Sequence, residues 1–357
     1  MMSDARYTMI YGANGYTGRL IATECVRQGL KPTMAGRNRR EIEQLAGELQ
    51  CPSRVFALDD VGAVARQLEG AKAVLNCAGP FSKTAATMME ACLRAKVHYL
   101  DITGEIDVIE AAATLDERAK QEGIAIVPAV GFDVVPSDCL AAMLAEKLPG
   151  ATTLLLAFGG GASISPGTAK TALESMPGGG RVRIDGEIRR VPPAWKTREI
   201  PFRGGPQLAE TIPWGDVASA WHSTGIANIE VYAAASPALV RQQRRLLRIA
   251  PLLRFSLFRR LAAWYIERTI RGPSAGQRAQ GRTEFWGQVS DARGRIAEAT
   301  LETPEGYALT SLTAVACLRR VLDGAAPNGF STPSRAFGKE LILSIPGVDL
   351  RWERLPE

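Results

Sequence analysis

The sequence predicts an α/β chain: a Rossmann-type doubly wound parallel sheet, then a second α+β domain built on an antiparallel sheet. Three observations carry this expectation. A strand–glycine turn–helix signature spans residues 8–18, β-α-β alternation continues to about residue 150, and hairpin signals dominate afterwards. The predicted domains are therefore 1–150 and 151–357, and the C-terminal segment is free to return to the first.

The opening element is the short apolar run Thr8-Met9-Ile10-Tyr11, which feeds Gly12-Ala13-Asn14-Gly15-Tyr16-Thr17-Gly18. An amphipathic stretch with Leu20, Ile21 and Cys25 follows at once. This order brings a backbone close to a pyrophosphate and aims the N–H groups of a helix start at it. Gly12 permits the tight turn, Gly15 removes a side chain where phosphates sit, and Gly18 lets helix and strand approach. Residues 12–18 are thus expected to bind a dinucleotide.

The second strand ends at Ala35-Gly36-Arg37-Asn38, with Arg39 and Arg40 behind it. NAD-selective folds place an acid here for the ribose hydroxyls, and none occurs between Pro32 and Arg40. A guanidinium offers a 2′-phosphate paired, charge-assisted hydrogen bonds. The cofactor read from Arg37 and Asn38 is NADP(H).

Later strand ends carry further candidates, because ligands of such sheets lie beyond the carboxyl ends of the strands. Asp59 either accepts from an adenine amino group or caps the helix near Val61. Cys77-Ala78-Gly79-Pro80 supplies small residues and a rigid turn for the dinucleotide bridge, with Phe81 beside the nicotinamide region. Tyr99 and Asp101 on the fifth strand, and Asp133 after the sixth, are the candidate catalytic groups. A buried carboxyl that holds its proton near neutrality can act as an acid. Ser137 and Asp138 suit the first turn of a helix.

Past residue 150 an apolar run, Thr153–Phe158, precedes three glycines, and a helix is expected over Gly167–Met176. Asp185-Gly186 signals one hairpin and Asp291-Ala292-Arg293-Gly294 a second. This half reads as a substrate and dimerisation domain, which predicts a homodimer.

Together the strand ends resemble the saccharopine dehydrogenase-like oxidoreductases, including members described as trans-acting enoyl reductases. The resemblance rests on G-A-N-G-Y-T-G (12–18), A-G-R (35–37), A-G-P-F (78–81), Y-L-D-I-T-G-E (99–105) and G-F-D-V-V-P-S-D (131–138). Later echoes are G-P-S (272–274), P-E-G-Y-A-L-T (304–310) and T-P-S-R-A-F-G (332–338). Residues 176–221 match least. The resemblance implies an NADP(H)-dependent oxidoreductase and leaves the substrate open.

Several function classes are excluded or narrowed by composition. The chain has 357 residues, 22% of them charged, with a net charge of +6. Nine arginines and one acid fall between Pro237 and Arg271, so the remainder is near neutral and no nucleic-acid motif stands beside the charge. No metal site is expected: the six cysteines lack C-x-x-C spacing, and His98 and His222 form no H-x-x-x-H. Scattered thiols and a start without a secretory pattern predict a cytoplasmic protein. Arginines alternate with leucine, isoleucine and phenylalanine through 241–266, which allows peripheral contact with a membrane surface or cover for a greasy pocket. None of the seven tyrosines has a lysine four positions on, so the short-chain dehydrogenase pair is absent.

The resulting expectation is hydride transfer from NADPH to an enoyl C=C, or to a C=N or C=O bond, of a hydrophobic or lipid-like small molecule. Two alternatives stand beside it. An amino-acid or imine dehydrogenase would clamp a carboxylate with Arg181, Arg183, Lys196 and Arg198, and an NADP(H) sensor would perform no chemistry.

Overall fold

The computed structural model describes residues 7–160, 165, 167, 169, 179–235, 264–265 and 268–356. The helix expected over 167–176 and the membrane contact expected over 241–266 lie outside these residues, apart from isolated positions. The chain divides into two units, Met1–Val135 with Tyr307–Gly338, and Pro136–Gly306 with Lys339–Glu357.

The first unit alternates strands and helices in the predicted order. β1 (Tyr7–Tyr11) leads into α1 (Tyr16–Arg27), β2 (Thr33–Gly36) into α2 (Arg39–Leu49), and β3 (Ser53–Val55) into α3 (Val61–Leu68). β4 (Ala71–Asn76), α4 (Phe81–Ala95), β5 (His98–Asp101), α5 (Ile106–Ala113), α6 (Asp116–Glu122) and β6 (Ala125–Val127) follow. The central strands of this sheet are buried on both faces, as parallel strands covered by crossover helices must be; Met9, Ile10, Val74 and Leu75 are all fully shielded. Local sequence sets the helix starts. Asp60 Oδ1 accepts from Ala63 N–H at 2.7 Å to open α3. All pairings are parallel, and the spatial order β3-β2-β1-β4-β5-β6 reverses between β1 and β4. That reversal leaves a crevice beyond the ends of β1 and β4.

The second unit opens with α7 (Val135–Lys147) and β7 (Thr153–Gly159). The two units meet in sequence at Val135, fifteen residues before the boundary expected from sequence, because α7 packs on the second sheet. A Cβ added at Gly287 would lie 2.6 Å from Leu144 Cδ1 and 3.1 Å from Leu140 Cδ2, so these leucines of α7 pack directly over the glycine. β8 (Gly180–Ile184) and β9 (Glu187–Val191) form the predicted hairpin, with φ of 52° at Asp185 and 81° at Gly186. Both turn positions have the positive φ of a type I′ turn, which matches the twist of the strands it joins. β10 (Thr197–Phe202) and β11 (Gly205–Thr211) make a further hairpin around Arg203-Gly204.

α8 (Asp216–Thr224), β12 (Asn228–Ala234) and α9 (Ala275–Gln280) precede the second predicted hairpin, β13 (Arg282–Ser290) with β14 (Ile296–Pro304). The sheet runs β10-β11-β12-β7-β13-β14-β16, the last being Asp349–Arg354, and β8 adds to β12. It is a mixed sheet: β12 and β7 pair in parallel, and the other described pairings are antiparallel. Leu155, Ala157, Ile200, Phe202, Ala209, Tyr232 and Trp286 form one buried cluster on it.

After β14 the chain returns to the first unit as α10 (Gly306–Leu322), β15 (Gly329–Phe330) and α11 (Pro333–Phe337). β15 adds a seventh parallel strand beside β6. Polar side chains fix α10: Arg319 Nε donates to Gln28 Oε1 at 2.8 Å, and Thr313 Oγ1 donates to the Val130 carbonyl at 3.0 Å. The last strand, β16, belongs to the second unit, so the C-terminal segment is shared between the two.

Candidate functional site

The crevice between β1 and β4 is walled by backbone. Gly12 has a φ of +76°, and a Cβ there would stand 2.8 Å from Ala78 N and 2.9 Å from Ala78 Cβ. A Cβ at Gly18 would lie 2.3 Å from the Gly12 carbonyl oxygen, closer than any real contact. Gly12 N–H and Ala13 N–H both donate to Ala35 O, at 2.8 and 3.2 Å, which ties the turn to β2. Gly15 is exposed and starts α1 with no side-chain cap. A helix start of this kind, with its amides uncovered by side chains, favours negative charge. The cradle therefore fits a pyrophosphate. Tyr16 packs edge-on against Tyr307 of α10, ring centroids 5.0 Å apart, and Thr17 is half-buried beside it.

Next to the end of β2, Arg37 is exposed and makes no hydrogen bond or ion pair among the described residues. Arg39, by contrast, is paired with Glu43 at 2.7 Å. Tyr11 lies close by: burial pushes its hydroxyl up to about 12, the Arg37 charge pulls the other way and Asp59 pushes with burial. Arg37 and Asp59 thus share one neighbourhood at the strand ends. Asp59 is exposed while its neighbour Asp60 supplies the cap of α3, which frees Asp59 for a ligand. Two side chains are already engaged. Asn38 Oδ1 accepts from Glu41 N–H at 3.4 Å as the cap of α2, and Asn14 Nδ2 donates to Glu41 Oε2 at 2.6 Å. The Asn38 side-chain oxygen thus also serves α2.

The end of β4 is held in place by its own side chains. Asn76 Oδ1 accepts from Ala78 N–H at 3.1 Å, and Thr84 Oγ1 donates to the Ala78 carbonyl at 2.6 Å. Cys77 N–H donates to Tyr11 O at 2.8 Å, and burial pushes the Cys77 thiol up, so it is not a thiolate. Gly79 and Pro80 lead into α4, whose first two amides, Phe81 N–H and Ser82 N–H, both donate to the Glu105 carboxylate at 2.8 Å. Phe81 itself is 8% exposed, so little of its ring reaches outward.

Tyr99 and Asp101 are fully buried. The Tyr99 hydroxyl donates to Asp101 Oδ2 at 2.6 Å, and Asp101 Oδ1 accepts from Thr103 N–H at 3.0 Å and Ala129 N–H at 2.8 Å. The structure thereby corrects the catalytic role expected of both. Neither can touch a substrate, and their bonds clamp the end of β5 to the residues after β6.

Asp133 is different. It is only partly buried, and no hydrogen bond or ion pair of its carboxyl occurs among the described residues. It presses on Gly104, where a Cβ would stand 2.4 Å from Asp133 Oδ2. Burial, and then the charge of Glu105, push its carboxyl up to about 7. The loop that bears it is fixed by α10, where Thr310 Oγ1 accepts from Phe132 N–H at 3.1 Å.

Three residues of this site escaped the sequence reading: Glu105, Tyr307 and Thr310. Glu105 and Thr310 sit in conspicuous local strings, Y-L-D-I-T-G-E and P-E-G-Y-A-L-T, yet their partners lie 23–24 and 178 residues away. Two of the cations expected to clamp a carboxylate are engaged elsewhere. Arg183 is buried, donating to the carbonyls of Val217 and Gly186, and Lys196 pairs with Glu230, whereas Arg198 is exposed on β10. His98 Nδ1 accepts from Ala125 N–H at 2.9 Å, an architectural bond. No group of metal-ligating side chains occurs among the described residues.

Residues 8–127 match the family model of the saccharopine dehydrogenase NADP binding domain. The chain is 25% identical over 203 residues to a mouse saccharopine dehydrogenase-like oxidoreductase, covering 50% of this chain and 47% of the mouse protein. It thus spans about half the length of the curated relatives it first matches. It is also 25% identical over 422 aligned positions to a Mycobacterium tuberculosis protein named provisionally as a trans-acting enoyl reductase, covering 97% of each. In fold it is similar to apo saccharopine dehydrogenase (L-Glu forming) of Saccharomyces cerevisiae, with a TM-score of 0.64, 12% identity, and coverage of 98% and 100%. Residues 8–127 therefore form an NADP-binding domain of the saccharopine dehydrogenase kind.

Proposed function

We propose that this saccharopine dehydrogenase-like chain is an NADPH-dependent oxidoreductase that reduces a C=C, C=N or C=O bond of a hydrophobic small molecule, with Asp133 as the proton donor. One arrangement carries the reading: the Asp133 carboxyl, pushed up to about 7 by burial, has no hydrogen-bond partner among the described residues and lies at the same end of the sheet as the glycine turn. The glycine cradle and the unpaired Arg37 fit the cofactor, and that group supplies hydride when bound.

The chain's own residues divide the remaining work. Residues 12–18 receive the pyrophosphate on backbone, and Arg37 receives the 2′-phosphate. Asp133 delivers a proton to the substrate atom left with the electron pair once hydride has reached its neighbour. Gly104 leaves the carboxyl room to stand there, and partial exposure lets it recover a proton from solvent. A carboxyl titrating near 7 is matched to this task, because acid and conjugate base are both populated at the working pH.

Among acceptors, the enoyl class is favoured by similarity to the Mycobacterium tuberculosis protein over 97% of both chains. The cationic, apolar sequence at 241–266 suits a lipid-like substrate. An amino-acid substrate is disfavoured because Arg183 and Lys196 are already committed to other partners. The deciding experiment follows NADPH oxidation with a panel of enoyl thioesters, imines and ketones. Turnover with one class, lost in Asp133→Asn while NADPH still binds, supports the reading. Tight NADPH binding with no turnover across the panel refutes it in favour of a sensor.

A further inference from the structure

We propose that Trp264, Tyr265 and Arg268 form a docking surface for an anionic lipid bilayer, which the chain touches from one side. The inference goes beyond the oxidoreductase reading and does not depend on it.

Two large rings face outward here. Trp264 is 51% exposed and Tyr265 63%, although rings of this size ordinarily supply a core or an interface. Both residues are helical, as are Arg268 and Thr269. One turn on from Trp264, the Arg268 guanidinium stands 4.2 Å from the indole centroid, a cation–π contact. Thr269 Oγ1 donates to the Tyr265 carbonyl at 2.8 Å within the same turn. A cation and an apolar ring are thus presented together.

The charge around them has one sign. Arg268 and Arg271 are exposed and form no ion pair among the described residues. Among the described residues between 264 and 282 there is no acid. The sequence repeats this chemistry: eleven arginines stand against one acid from Arg241 to Arg282, and eight leucine, isoleucine or phenylalanine residues fall between 246 and 258.

Such a mixture complements a surface that is negative at its headgroups and apolar beneath them. Arginines are drawn to anionic headgroups, and Trp and Tyr rings settle at headgroup level with the polar tip toward water. A nucleic acid would satisfy the arginines and leave the leucines and phenylalanines without a partner. Crossing the bilayer needs about 20 consecutive apolar residues. Between Arg241 and Arg282 no stretch longer than six residues lacks a charge. No helix among the described residues is long and apolar enough to cross a membrane. The contact stays at the surface.

The test is cosedimentation of the full chain with vesicles of phosphatidylcholine alone and of phosphatidylcholine mixed with phosphatidylglycerol. Wild type is expected to bind the mixed vesicles only, and to be released as salt screens the charge. The double variant Trp264→Ala, Tyr265→Ala should lose about tenfold in partitioning and Arg268→Gln about fivefold, both with an unchanged melting temperature. A wild type that binds neither vesicle, or both equally, overturns the proposal, as does a double variant that binds like wild type. A DNA duplex is the competing polyanion: if it binds as tightly as the mixed vesicles and the double variant binds it equally well, the surface is a general cationic one and the proposal falls. If the double variant fails to fold, Trp264→Phe decides. Subtracting its emission from that of wild type isolates the Trp264 signal, which should move to shorter wavelength on mixed vesicles; an unshifted signal overturns the proposal.

Discussion

The Tyr99 hydroxyl donates to Asp101 Oδ2 at 2.6 Å, and neither side chain reaches solvent. Asp101 also receives Ala129 N–H, while its own carbonyl receives Val130 N–H at 2.7 Å. One aspartate thus joins two adjacent strand ends through side chain and main chain together. The loop it anchors is the one that carries Asp133.

Removing this clamp is expected to cost stability before it costs cofactor binding. Asp101→Ala leaves the amides of Thr103 and Ala129 buried without an acceptor, a loss of about 1–3 kcal/mol for each unsatisfied group. Urea denaturation should report a lower midpoint, with NADPH affinity changed less than about threefold in the folded fraction. A stable Asp101→Ala chain with abolished NADPH binding would contradict the architectural assignment.

Cofactor selection is expected to follow Arg37. A charge-assisted bond to phosphate is worth about 1.5–3 kcal/mol, so Arg37→Ala should weaken NADPH binding by about 10- to 100-fold. NADH lacks the phosphate, and its affinity should hardly change. Fluorescence titration of both nucleotides against both chains checks this, and equal affinities in the wild type would refute it.

Gly18→Ala is expected to disable the glycine turn. The new methyl would meet the Gly12 carbonyl at 2.3 Å, and backbone cannot yield as a flexible side chain does. Strain of this kind costs of order 1–3 kcal/mol, so thermal unfolding should move down along with NADPH affinity. Unchanged binding in Gly18→Ala would show that the turn does not contact the cofactor.

Stability should depend on pH through Asp133. Its folded-state value of about 7 lies above the ordinary 3.8, so the folded chain binds a proton that the unfolded chain has released. This contribution is fully present below about pH 4 and is lost as pH rises through 7. Asp133→Asn should therefore flatten the fall in urea midpoint between pH 5 and pH 8, by about 1–2 kcal/mol once screening at the partly exposed carboxyl is allowed for. An identical pH profile in the two chains would count against a raised value.

Thr310→Val is expected to slow turnover while leaving NADPH binding intact. The substitution removes the acceptor of Phe132 N–H and should cost about 1 kcal/mol of stability. Asp133, the next residue, would then be held less firmly. A kcat unaffected by this change would show that the bond does not position the donor.

Much of the fold was legible because it is written in short stretches. The glycine spacing at 12–18, the Asp185-Gly186 turn and the alternation of strand and helix are local, and backbone sterics enforce each of them wherever they occur. The strand order reverses between β1 and β4, as in other doubly wound sheets. The boundary of the second unit was less legible. α7 follows the last strand as any Rossmann helix would, yet its Leu140 and Leu144 pack over Gly287, more than a hundred residues on, in the other sheet. The arrangement of β7 and β12 as a parallel pair inside a mostly antiparallel sheet had no local signal either.

Sequence alone pointed to the NADP-binding end of the chain, because the glycine turn and the arginine that suggest it stand in short local stretches. Which carboxyl we propose as the proton donor was decided by tertiary structure. Tyr99, Asp101, Glu105 and Asp133 are equivalent as letters near strand ends, and burial, donors and neighbouring charge separate them only after folding. Hydrogen-bond donors from other segments engage Asp101 and Glu105, whereas among the described residues Asp133 receives none.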